Sequence, residues 1–147
     1  MSQNTVDEYS AAAVPVQMSV NGNSLSMGSG FFWRVTDQLY LITNWHNVSG
    51  VNPITGANMS NTGGRPDTIH AGVNAAQLPH RGVLTLPLHD ADGPVWFVHP
   101  ELGRRVDIAA IPVPEDIACH PDARYYPINT LSSREMQIGI GTEVFIL

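Results

Sequence analysis

An all-β domain is the fold class this sequence predicts, and three observations carry that prediction. Apolar and polar residues alternate over short runs, the period of a half-buried strand. Thirteen Gly and eleven Pro divide the 147 residues into segments too short for long helices, which excludes an all-α bundle. The segments recur at even spacing with turn residues between them, as in a β-sandwich or β-barrel. With 43% apolar and only 14% charged residues, the chain can build a core and does not read as disordered.

Residues 1–13 are polar and alanine-rich without a sustained period and are expected to form a flexible arm. Val14, Val16, Met18 and Val20 then alternate with Pro15, Gln17 and Ser19, which predicts a first strand. Asn21-Gly22-Asn23 supplies the turn, because Asn and Gly tolerate positive φ. In the second run, Ser24 to Thr36, one parity carries Leu25, Met27, Phe31, Trp33 and Val35, and Gly28-Ser29-Gly30 marks a bulge or bend. Leu39 to Thr43 predicts a third strand, and the polar Asn44-Trp45-His46-Asn47 places His46 just past its end.

Residues 49–67, rich in Gly, Pro and Asn, read as a long surface loop. Further strands are expected at 68–73, 80–86, 94–98 and 106–113, followed by a connector containing Pro114, Pro121 and Pro127. Glu143 to Leu147, with the apolar run from Val144, reads as one more strand. An unprotected apolar strand at a terminus invites pairing with other chains, so truncation and a homodimer through the terminal strand are both expected.

Thirteen acidic residues face seven basic ones, all arginine, for a net charge of −6. No basic stripe is present to neutralise a phosphate backbone, which argues against nucleic acid as a partner. The lone Cys119 cannot form an intrachain disulfide, and it lacks the neighbouring ligands of a thiolate zinc site. The start has neither a basic nor an apolar signal region, and no apolar run approaches the length of a membrane span. The expectation is a soluble, cytoplasmic chain that does not engage a membrane. His70, His80, His89 and His99 recur with the strand-and-turn repeat and not at ligand spacing, so no metal or other cofactor is expected.

The sharpest pattern is Gly28-Ser29-Gly30-Phe31-Phe32, then Leu41-Ile42-Thr43-Asn44-Trp45-His46-Asn47-Val48, then Val106-Asp107-Ile108-Ala109-Ala110-Ile111. These segments resemble, in order and spacing, the trypsin-like (chymotrypsin-fold) serine peptidases of the bacterial, disulfide-free branch. The resemblance implies a six-stranded antiparallel Greek-key barrel over residues 14–130. It also implies that 131–147 hold the connector and the opening strand of a second, missing barrel. On this reading His46 is the general base and Asp107 holds it in one tautomer, so that a serine hydroxyl can be deprotonated.

Two features set the chain apart from that family. No glycine-flanked serine of the G-[DN]-S-G-G type occurs, and Ser132-Ser133 has no adjacent glycine. Ser29 lies in the strand before the histidine and reads as structural. The resemblance therefore implies a serine endopeptidase acting on protein or peptide substrates, of which this chain holds the His and Asp half and is inactive alone. The alternative is a catalytically inactive barrel that binds a peptide or protein. A histidine-based metal site through His46 is the weakest reading of the three.

Overall fold

The computed structural model describes residues 8–75 and 81–131. A short helix, α1 (Glu8–Ala12), buries Ala11 and Ala12 and leads directly into β1 (Ala13–Val20). Thus the part of the expected arm that is described packs against the strand it precedes. Strands β2 (Asn23–Val35) and β3 (Gln38–Thr43) follow by tight turns. Asn21 and Thr36 take the left-handed conformation at these turns, with φ of 49° and 53°. Helix α2 (Trp45–Ser49) comes next, then β4 (Thr68–Ala75), β5 (Arg81–Pro87), the small hairpin β6 (His89–Asp90) and β7 (Gly93–Pro94), and β8 (Ala109–Pro112). Helix α3 (Glu115–Ala118), β9 (Ala123–Arg124) and a 3-10 turn (Ile128–Thr130) complete the described chain.

The architecture is an open, curled sheet of six antiparallel strands in the order β5-β4-β1-β2-β3-β8, with β9 pairing β4 at one end. Within it β4 returns to lie beside β1 after the β1-β2-β3 meander, which is Greek-key order. No ladder joins the outer strands β5 and β8. The segment between them makes one bridge to β8, in which Phe97 and Ala110 exchange backbone hydrogen bonds of 2.9 and 3.0 Å. Residues 94–98 therefore form a bridge where a full strand was expected. The predicted 106–113 strand begins only at Ala109, because Ile108 N–H closes a tight turn onto Val106 C=O.

The concave face holds one core built from Val14, Val16, Met18, Phe32, Leu39, Leu41, Ile69, Leu86 and Ile111, among others. In β1 the expected alternation holds to Met18. A bulge between Met18 and Ser19 then turns Ser19 inward. In β2 the more apolar parity is the outer one: Met27, Trp33 and Val35 face outward, and Phe32, on the other parity, is 2% exposed. The register explains this. Gly30 and Phe32 lie opposite Thr43 and Leu41 of β3, and Gly28 and Gly30 lie opposite Val16 and Val14 of β1. The interior positions of β2 are thus mostly glycine, and the larger side chains project from the convex face.

These glycines are required by close approach. A Cβ on Gly30 would stand 2.6 Å from the carbonyl oxygen of Ile42, and one on Gly28 would stand 2.7 Å from Asn47 Nδ2. The Gly-Ser-Gly segment lets β2 pass tightly beneath α2. Among the described residues no helix is long and apolar enough to cross a membrane. The expected terminal strand and its homodimer lie outside the described residues, as does nearly all of the 131–147 segment.

Candidate active site

Thr43 bonds to Asn47 and to Ser29, and Asn44 and His46 both bond to Asp107; together they fix the end of β3 against its surroundings. The buried Thr43 hydroxyl donates to Ser29 C=O at 2.8 Å and accepts from Asn47 Nδ2 at 3.0 Å. Buried hydroxyls and amides without partners are costly, so this chain of bonds locks the Gly-Ser-Gly strand to α2. Gly50, with φ of 67°, ends the helix by donating its N–H to His46 C=O at 3.0 Å. Ser29 thus serves the site through its carbonyl, in keeping with a structural role.

At the other end of α2, the cap comes from 61 residues away. Asp107 Oδ1 accepts the backbone N–H of His46 at 2.9 Å, satisfying a donor that the first helical turn leaves open. Asp107 Oδ2 meets His46 Nδ1 at 2.7 Å. The Asn44 side chain, in the N-cap position but without a local cap bond, donates instead to Asp107 C=O at 3.1 Å and to Oδ2 at 3.3 Å. An ionised carboxylate only accepts, so Nδ1 carries the proton facing it. That leaves Nε2 as the ring's basic nitrogen.

The two side chains are about one-third exposed, 32% for His46 and 31% for Asp107. Desolvation is the largest single influence on Asp107 and acts upward. It is outweighed by the His46 backbone N–H, by the His46 ring through hydrogen bond and charge, and by the Asn44 amide, so the carboxyl titrates below its ordinary value. A depressed folded-state value means that this group stabilises the fold fully above the ordinary carboxylate pKa of about 4, and that the contribution is lost as pH falls through the folded value. Urea unfolding followed from neutral pH into acid should show that loss, and Asp107→Asn should flatten the acid limb. Part of the slope will persist in the variant, because Asp67 is lowered in the same sense. Its Oδ2 accepts the Asn21 N–H at 2.7 Å and its Oδ1 the Thr68 hydroxyl at 2.8 Å.

A cleft of about 460 Å³ opens beside His46, between Leu25–Met27 of β2 and residues 59–66 of the long loop. That loop is held by hydrogen bonds: Asn52 Oδ1 accepts the N–H groups of Ile54 and Thr55, and Met59 N–H donates to Gly50 C=O at 2.8 Å. Neither Met27 nor Met59 was singled out as a site residue from sequence. Their signal is tertiary, because only the folded loop brings them together. Asn44 was legible as part of the histidine motif, though not its bond to Asp107.

The other histidines sit elsewhere. His70 lies between Ser19 Oγ and Thr85 Oγ1, each at 3.0 Å. His99 and His120 accept backbone N–H groups in turns, and His89 lies in β6. His80 lies outside the described residues. Among the described residues no group of three His, Cys, Asp or Glu side chains could hold a metal ion. Arg104 and Arg105 are exposed, and Cys119 is an exposed free thiol. Among the described residues no nucleophile is seen beside the imidazole. Compared with known protein families, curated proteins and solved structures, the chain matches none.

Proposed function

We propose that this chain is a trypsin-like barrel carrying the general base and the orienting acid of a Ser-His-Asp relay, catalytically silent by itself, which receives an extended peptide beside His46. The observation that carries the reading is the doubly engaged carboxylate: Oδ2 on His46 Nδ1 at 2.7 Å and Oδ1 on His46 N–H at 2.9 Å. The barrel form is supported by the Greek-key order, by the Phe97–Ala110 bridge, and by the Val95 N–H bond to Leu88 C=O that leads from β5 toward that bridge.

In this reading Asp107 fixes the Nδ1–H tautomer and faces the positive charge that forms when Nε2 takes a proton from a hydroxyl. His46 then returns that proton to the leaving amine. The nucleophile and the oxyanion donors are supplied by residues other than those described.

A place for the peptide backbone follows from the pairing of β2. Pro15 has no N–H and lies opposite Ser29, so that pair is not a hydrogen-bonding one, and the Ser29 backbone groups face away from β1. Two residues earlier, Met27 opposite Gln17 repeats the arrangement. Strand β3 pairs β2 only from Gly30 to Val35, so Met27 presents its N–H and C=O along an edge that β3 leaves uncovered. An extended peptide can add there as a strand.

With no nucleophile beside the imidazole among the described residues, binding without catalysis is the second reading, and for the chain alone it is the one favoured. The test has two parts. The 147-residue chain, incubated with fluorescently quenched casein, should show no turnover above buffer, and turnover abolished by His46→Gln would overturn the claim of silence. The coding sequence downstream of Leu147 then separates the readings: a glycine-flanked serine supports the peptidase, and a stop codon supports the binder.

A further inference from the structure

We propose that the cleft beside His46 is a subsite for an uncharged aliphatic side chain, leucine or methionine, of an extended peptide, with Met27 and Met59 as its selecting walls. The proposal rests on the peptide-binding reading above and adds the class of residue that is bound. At about 460 Å³ the cleft falls within the size range of ligand pockets.

Its walls explain the selectivity. Met27 is 74% exposed and Met59 is 53% exposed, so neither is spent on the core. They come from elements far apart in sequence, the outward parity of β2 and the hydrogen-bonded loop, yet both line the one cleft. Methionine is unbranched and polarisable, and it packs against aliphatic groups of varied shape. No Asp, Glu, Lys or Arg lines the cleft. Its polar lining consists of hydroxyls and amides such as Ser26, Asn61 and Thr62, together with the His46 ring.

A lysine or arginine side chain entering here would lose water and meet no free carboxylate. The neighbouring carboxylate, Asp107, already has both oxygens engaged by His46. The chain's net charge of −6 further disfavours an acidic peptide. The backbone argument agrees in direction: a strand added along the Met27 edge alternates its side chains, so one of every two faces the protein. The cleft at that edge is where such a side chain goes.

The test uses the full chain labelled with ¹³C-methyl methionine and the pentapeptides acetyl-Ala-Ala-Xaa-Ala-Ala-amide, with Xaa as Leu, Met, Asp or Lys. The Leu and Met peptides should shift the Met27 and Met59 methyl signals along saturable curves, with affinity at least about tenfold above the Asp and Lys peptides. Met59→Ser should reduce that preference while leaving the thermal midpoint unchanged, since this side chain is exposed. Equal affinity for the Leu and Asp peptides, or no shift at either methyl, would overturn the proposal. Failure of the relay is read from the ¹⁵N tautomer of the His46 ring, and failure of the subsite from the ratio.

Discussion

Phe32→Ala is expected to remove about 3–5 kcal/mol of stability, the largest loss from any single truncation in the core. Phe32 is the one large side chain that β2 sends inward. Its ring meets Tyr125 edge-on, with centroids 4.9 Å apart at 81°. Gly28 and Gly30 precede it on the same face and have no side chains to move into the void. A domain of this size has about 5–15 kcal/mol in hand, and the variant should sit near the edge of folding at room temperature. Urea denaturation measures the loss. Trp33→Ala, one residue along and on the convex face, should cost less than about 1 kcal/mol in the same assay. Equal losses at the two positions would mean that the strand faces are assigned the wrong way round.

Asp107→Asn is expected to act on chemistry more than on shape. The carboxylate accepts from the His46 N–H, the His46 ring and the Asn44 amide. An amide of the same size has one accepting oxygen, and its NH₂ must then face a donor or the ring nitrogen. Losing a charged acceptor at a half-buried site costs about 1–3 kcal/mol. The larger consequence is tautomeric. With an NH₂ opposite it, Nδ1 becomes the acceptor and the proton moves to Nε2, where it blocks uptake of another. In a working Ser-His-Asp triad this change lowers kcat by about 10⁴ for that reason. In this chain the readout is the ¹⁵N spectrum of the His46 ring, which should switch from the Nδ1–H to the Nε2–H form. An unchanged tautomer would show that Asp107 does not set the state of the ring.

The two predictions draw on different parts of what sequence can reveal. His46 and Asp107 were legible through the resemblance of their segments to the trypsin-like peptidases, and each also stands at a polar break in an apolar run. Their hydrogen-bonded contact agrees with that reading. Which face of β2 is core was not legible, for a physical reason. Alternation shows that a strand has two faces, but not which face is inside when glycines occupy one of them. Leu25, Met27, Phe31, Trp33 and Val35 are the more apolar set, yet Gly28 and Gly30 must face inward to let Asn47 and the Ile42 carbonyl approach. Likewise, 106–113 reads as one strand by composition. The bonds from Asn44 and His46 to Asp107 belong instead with a turn that delays β8 to Ala109.

Strand period and turn residues are local properties, so the sequence by itself determined the all-β class, while His46 and Asp107 were marked by the motif resemblance of their segments. The tertiary structure alone decided which face of β2 is core, that an aspartate 61 residues away caps the helix carrying the histidine, and that two methionines line a cleft at the imidazole. Each of these depends on how close separate segments come to one another. That distance is set by packing and register, which no single segment encodes.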